Sequence, residues 1–420
     1  MQIYMRIICI HINNKYNSPH IMTNHNDLLF LEHNVKHTSL VRNALFGAMT
    51  FALAQPALAV TDEEFRELQE QFNMLAEQVE ANSSVSSDTT IGGYGELHYN
   101  NLSNGEGKDK KEMDFHRFVL FVDHQFNDKI RFFSEIEVEH GTIADTDDGS
   151  STGSVAIEQA YVQFDLGEHT KSNAGILLVP VGFINETHEP PTFYGVERNI
   201  INKYIIPTTW REGGAGLSGN YETGFSYDLI LHTGLDGGTN IRGGRQKVAN
   251  ANASNLASTL RVKYTGIAGV EVAGSFQYQD DMTQNTSDSI GSATLVEGHV
   301  RWSVADITLT ALYAQWNIDV ASTETAENLA KDVQNGGYLE ASYKITPKWG
   351  VFVRQNQWDN GGQGDTARTQ TDFGFNYWPH EDVVIKADYQ IQNDYQKFDG
   401  NAITNVAGFD GFNLGIGYQF

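Results

Sequence analysis

From about residue 90 to the last residue, apolar and polar side chains alternate with a period of two, in segments of about ten residues separated by polar turns and loops. Successive side chains of a strand point to opposite faces, so each segment carries one apolar and one polar face. In "KIRFFSEIEVEH", Ile130, Phe132, Ile136 and Val138 oppose Arg131, Glu135, Glu137 and Glu139. The chain ends on "GFNLGIGYQF", which sets Phe412, Leu414, Ile416, Tyr418 and Phe420 against Asn413, Gly415, Gly417 and Gln419. Strands of this kind close either as two sheets pressed together around a dry core or as a cylinder whose apolar face looks out into lipid.

Sixteen such segments begin near residues 91, 114, 129, 155, 173, 211, 224, 256, 269, 293, 306, 336, 348, 369, 382 and 411. Their connections sort into two kinds that alternate along the chain. Tight ones such as "FNDKI", "YETGF", "TPKW" and "PHED" take turns with long polar ones at 141–153, 236–255, 279–292, 318–335, 359–367 and 394–408. Two different ends and an even strand count predict a 16-stranded antiparallel transmembrane β-barrel, with short turns on the periplasmic side and long loops outside. The apolar faces end in aromatics (Tyr94, Phe126, Tyr161, Tyr227, Tyr264, Tyr278, Trp302, Tyr313, Trp349, Tyr377, Trp378 and Tyr418), as interfacial girdles do.

The polar faces then line a lumen. The phase assigns Arg131, Glu135, Glu137, Glu139, Arg261, Lys263, Arg301, Arg354, Lys386 and Asp388 to it, with both signs interspersed. Mixed charge sets up a transverse field that passes hydrated solutes and slows apolar ones. The longest connection without strand pattern follows the fifth segment and holds "HEPPTFYGVERNIINKYIIPTTWREGGAG". Three prolines stiffen it, which suits a fixed loop. Its Glu186, Glu189, Glu197, Arg198, Lys203, Arg211 and Glu212 are the candidates for a pore constriction; the competing reading is a solvated external loop.

Ahead of the barrel, Arg42, the apolar run 44–54 and Ala57-Leu58-Ala59 form a signal peptide cut after Ala59, within a presequence of 1–59. The His- and Asn-rich stretch before Val35 fits no targeting class, and translation is expected to begin near Val35. The single cysteine, Cys9, falls in this presequence, so no disulfide or thiol chemistry is expected of the mature chain. In 60–81, Phe65, Leu68, Phe72, Leu75 and Val79 follow 3-4 spacing behind a Thr61/Glu64 capping box. Three heptads are marginal alone, so this coiled-coil helix predicts self-association; packing against its own domain is the other reading. Residues 82–90 read as a linker and 91–420 as the barrel.

The combination of signal peptide, short coiled coil, sixteen strands and terminal Phe resembles Gram-negative outer-membrane porins, most like the phosphate-selective porin O and P family. The resemblance implies a trimer, a water-filled diffusion channel for ions and small hydrophilic solutes, anions such as phosphate included, and an assembly signal at Phe420, Tyr418 and Ile416. It also implies contact with outer-membrane lipid and lipopolysaccharide. The family's basic ladder is not legible, because acidic residues interrupt the lumenal arginines and lysines.

A net charge of −25 excludes a nucleic-acid partner. No GxSxG, P-loop, HExxH or GxGxxG between a strand and a helix occurs, and neither catalysis nor a metal or other cofactor is expected. An adhesin or receptor acting through the long acidic loops is the alternative, followed by an outer-membrane hydrolase whose site is assembled from separate strands.

Overall fold

The computed structural model of the 420-residue chain describes residues 88–141 and 153–420. The signal peptide, the coiled-coil positions Phe65, Leu68, Phe72, Leu75 and Val79, and most of the 141–153 loop lie outside the described residues.

The alternating segments form β1 (Thr89–Ser103), β2 (Lys110–Asn127), β3 (Ile130–Glu139), β4 (Ser154–Asp165), β5 (Thr170–Leu178), β6 (Arg211–Asn220), β7 (Phe225–His232), β8 (Ala257–Ile267), β9 (Val270–Gln279), β10 (Ile290–Val304), β11 (Ile307–Val320), β12 (Val333–Thr346), β13 (Trp349–Asp359), β14 (Arg368–His380) and β15 (Val383–Gln392), followed by β16 (Tyr395–Phe398), β17 (Ile403–Val406) and β18 (Asp410–Gln419). Strands β1 to β15 and β18 make one closed antiparallel barrel of sixteen strands; β16 and β17 pair only with each other, a small hairpin within the last long connection that the alternation had not revealed. Because Thr89 and Thr90 already pair with Asp123 and His124, the barrel takes the last two residues of the expected linker.

The terminal strand seals the cylinder. β18 pairs with β15 on one side and with β1 on the other, in register from Tyr94 opposite Gln419 to Ser103 opposite Asp410. Beyond it the Gly93 and Phe420 amides each donate to the other's carbonyl, at 2.9 and 2.8 Å. Closure leaves no unpaired edge, which in lipid would cost several kcal/mol per backbone group.

The apolar face looks out. Leu231 and Val296 are each about half exposed, whereas Glu135 and Arg354 on the opposite phase are 1% and 4% exposed. Two sheets pressed face to face would show the reverse. Three of the expected girdle aromatics break the rule. Tyr94, Tyr161 and Trp378 face inward: Tyr94 is fully buried with its ring 5.7 Å from Phe121, Tyr161 packs 5.6 Å from Phe133, and the Trp378 indole donates to the Pro191 carbonyl. They can do so because the barrel holds a dry inner layer. Leu177, Val181, Ile205, Trp210, Leu312 and Trp316 belong to one buried cluster inside it.

Candidate functional site

That inner layer is built by residues 179–210, which connect β5 to β6 and turn back into the barrel. At their neck the Val179 amide donates to the Trp210 carbonyl at 3.0 Å. The Asn185 side chain donates to both the Val179 and Trp210 carbonyls and accepts from the Trp210 amide, locking entry and exit together. The chain then runs down to a single 3-10 turn, Pro190–Thr192. A Cβ on Gly417 would lie 2.2 Å from Pro190 Cβ, and Trp378 meets the next residue, Pro191. Both partners lie close to the short-turn end, so the tip has crossed most of the barrel. The returning arm is tethered rung by rung: Asn376 donates to the Phe193 carbonyl (3.0 Å), Arg354 to Tyr194 (3.3 Å) and Lys386 to Gly195 (2.9 Å), while Asp388 accepts from the Val196 amide (2.6 Å). A short helix, α1 (Ile201–Tyr204), follows, and Trp316 donates to the Ile205 carbonyl at 2.9 Å.

Magnitudes decide what holds the segment. Ile201, Ile205, Ile206 and Trp210 have no exposed surface. At about 1.5–3 kcal/mol for each such side chain, burial outweighs the single hydrogen bonds, at about 0.5–1.5 kcal/mol each. The segment is a fixed inner wall, and the polar tethers set its position. Above it the 236–255 loop acts as a clamp. Arg242 donates to the Lys203 and Thr208 carbonyls, and Arg245 to those of Pro207 and Thr209.

The constriction candidates fall at different places. Glu186 pairs with Arg261, which also holds Asp228 at 2.6 Å. Glu197 keeps 44% of its side chain exposed and lies 3.1 Å from His98 Nδ1. Arg198 is half-buried and donates to Thr209 Oγ1, whereas Lys203 is exposed. Arg211 donates to Glu158 at 3.3 Å. Glu212 is fully buried, accepting from the Trp210 indole and the Thr233 hydroxyl, and Glu189 is buried beside the tip. Their burial departs from the expected place at a solvent-lined constriction.

The residues assigned to the lumen face inward. Arg131 pairs with Asp123, Arg354 braces Glu340 and Asp372 at 3.0 and 3.1 Å, and Arg301 lies over the Phe183 ring. Lys386 and Asp388 hold the segment as described. Glu139 and Lys263 are half-buried. Between the segment and the wall of β10 to β13 a cavity of about 80 Å³ remains, lined by Arg301, Tyr338, Glu340 and Arg354.

An ionic network joins the inner faces of β1 to β4 without any motif in the sequence. Arg117 Nε lies 2.7 Å from Glu96 and its Nη1 3.5 Å from Glu137; His98 Nε2 is 3.1 Å from Glu96. Alternation places Glu96, His98 and Arg117 on the inner face, but their coupling to the segment depends on tertiary contacts. Glu158 was harder to read: the β3–β4 register slips between Glu135 and Ile136, and the extra residue in β4 at that point is Glu158.

In the loops, electrostatics separates two regions. Burial raises the Glu186 carboxyl and the Arg261 guanidinium more than offsets it, so this acid is held below its ordinary value. Burial and the neighbouring Arg242, Arg211 and Arg198 press the Arg245 group down to about 10. Burial and the neighbouring Arg245, Arg211 and Arg242 lower Lys247. Five positive groups thus crowd the long-loop mouth.

No protein-family model matches the chain. It is 28% identical over 355 residues to an uncharacterized protein of Aquifex aeolicus, covering 77% of this chain and 80% of that one. Among solved structures, the anion-selective porin of Comamonas acidovorans superposes with a TM-score of 0.56 at 12% identity, over 79% of this chain and 99% of that one. Salmonella typhi OmpF, in complex with daunomycin, gives 0.53 at 14% over 79% and 97%. The trimer form of Vibrio cholerae OmpT gives 0.52 at 12% over 79% and 99%. At these identities the fold is what is shared, and the fold of this chain is that of the outer-membrane porins.

Proposed function

We propose that the protein is a passive outer-membrane porin of a Gram-negative bacterium, a diffusion channel for ions and small hydrophilic solutes. The observation that carries the reading is the re-entrant segment, which reaches from Arg261 on β8 to Lys386 on β15 and narrows a charged lumen inside a lipid-facing barrel. Bound as a fixed wall, it sets a constriction without moving parts. Carboxylates and guanidinium groups alternate around the inner wall, which supports weak selectivity through a transverse field. The five cations at the long-loop mouth, Arg198, Arg211, Arg242, Arg245 and Lys247, tilt entry toward anions. This is the feature that suits the resemblance to phosphate-selective porins. A homotrimer is the proposed assembly, supported by the coiled-coil spacing of 60–81 and by the trimer form of a structural neighbour.

The test is planar-bilayer recording of the purified protein. Stepwise conductance with a reversal potential in a salt gradient favouring anions, reduced by added phosphate, is expected. A silent bilayer refutes the channel, and a cation-selective reversal potential refutes the role of the cationic mouth.

A further inference from the structure

On its way down, the re-entrant segment presents His188 to two carboxylates of the barrel wall, Glu135 on β3 and Glu158 on β4. All three are buried, at 3%, 1% and 1% exposure. His188 Nδ1 lies 3.1 Å from the Asn185 carbonyl oxygen. A carbonyl only accepts, so Nδ1 carries a hydrogen and Nε2 is the ring nitrogen left to face the carboxylates. That Nε2 faces Glu158 Oε2 at 3.4 Å and Glu135 Oε1 at 3.7 Å, and neither His188 Nε2 nor Glu158 Oε2 has a hydrogen-bond partner. Three electron-pair donors from three chain segments therefore converge on one point. Separations of 3.4 and 3.7 Å are too long for N–H···O bonds, which peak near 2.9–3.0 Å. They match the spacing of two ligands on one tetrahedral zinc, about 3.4 Å when each sits about 2.1 Å from the metal.

The surroundings are those of an ion site. The other atoms of the two carboxylates are held in place: Gln159 Nε2 donates to Glu135 Oε2 at 2.6 Å and Arg211 to Glu158 Oε1 at 3.3 Å. The Asn185 carbonyl that fixes the imidazole belongs to the residue that locks the segment's neck. Metal-bound histidine and carboxylate ligands are oriented by outer partners in this way.

The geometry points to a binding site for a divalent transition-metal ion, zinc by ligand set and spacing, formed by His188 Nε2, Glu158 Oε2 and Glu135 Oε1. The ion staples the descending arm of the re-entrant segment to β3 and β4, opposite the face that Lys386 and Arg354 tether.

The purified full-length barrel, stripped with a chelator and titrated with Co²⁺ as a spectroscopic stand-in, tests this. One Co²⁺ per chain is expected, with the visible bands of a low-coordinate ion that Zn²⁺ displaces. Glu158→Gln, which keeps the shape and a hydrogen-bonding group, and His188→Ala should each weaken binding at least about 100-fold, while His140→Ala, in a separate Asp114/His116 cluster, leaves it unchanged. Heat-modifiable mobility on gels verifies that each variant is folded. A folded wild type that takes up no Co²⁺ or Zn²⁺ overturns the site, and so does undiminished binding in folded Glu158→Gln. Because the readout is metal uptake, it does not depend on conductance, and failure of the channel reading would leave it standing.

Discussion

The ammonium group of Lys386 lies 2.9 Å from the carbonyl oxygen of Gly195, a residue 191 positions earlier that the barrel wall reaches only because the β5–β6 connection has folded inside. Lys386 also sits 3.6 Å from the centroid of the Phe193 ring. The ammonium of one lysine thus holds the returning arm twice, by a hydrogen bond and by its seat over an aromatic face. Lys386→Met keeps the stem and removes the donor, leaving a buried carbonyl unmatched at a cost of about 1–3 kcal/mol. The expected result is a looser arm and a noisier, larger single-channel conductance, read in planar bilayers.

Glu186 and Arg261 make a second latch, on the other side of the lumen. The pair lowers the Glu186 carboxyl, so its contribution is complete above the ordinary carboxylate value of about 4.3 and is lost as pH falls through the lowered one. The Glu186 side chain is 35% exposed and water screens the pair, so the effect is modest. Conductance should hold steady from neutral pH into the mildly acidic range and rise only below about pH 4; the difference between wild type and Glu186→Gln isolates this acid from the others.

The glycines of the terminal strand answer to the segment's tip. Gly415 and Gly417 face inward, and a Cβ there would come within 3.0 Å of Val196 and 2.2 Å of Pro190. Gly417→Leu should therefore displace the tip or cost about 1–3 kcal/mol by overpacking. A lowered unfolding temperature in the heat-modifiability assay checks it.

On the outer face the same size of change has a different cause. Val296, about half exposed near the middle of β10, meets lipid. Val296→Arg should cost about 2–4 kcal/mol, measured by folding into bilayers, whereas a polar replacement of the inward Glu297 is far cheaper to the membrane.

Phe420 is 56% exposed, while its backbone closes the barrel against Gly93. As the proposed assembly signal it should act before folding is complete. Phe420→Ala is expected to reduce the yield in the outer membrane while leaving the thermal stability of the assembled protein within about 1 kcal/mol, as measured on the fraction that inserts.

The barrel was legible because a period of two is a geometric fact of strands, and sixteen segments repeat it. Even the glycines of "GFNLGIGYQF" alternate for a reason, though that reason is Pro190 and Val196, which no local pattern reveals. Reading failed where the lumen stops being watery. Tyr94, Tyr161 and Trp378 look like girdle residues by composition and face inward because the re-entrant segment gives them an apolar or hydrogen-bonding partner. Glu189 and Glu212 have the charge of pore residues and the burial of core residues. His188 opens "HEPPT", which lacks the second histidine of HExxH; its partners Glu135 and Glu158 are brought to it by tertiary contact, and a slip in the β3–β4 register puts the second of them out of phase.

In the proposed channel, residues 186–209, docked inside the barrel, set the width of the path through it. Single-channel conductance of wild type, compared with a variant in which 186–209 are replaced by a short Gly-Ser linker, tests this directly. The account predicts several-fold larger unitary steps and weaker ion selectivity in the variant; equal conductance from two folded barrels would contradict it.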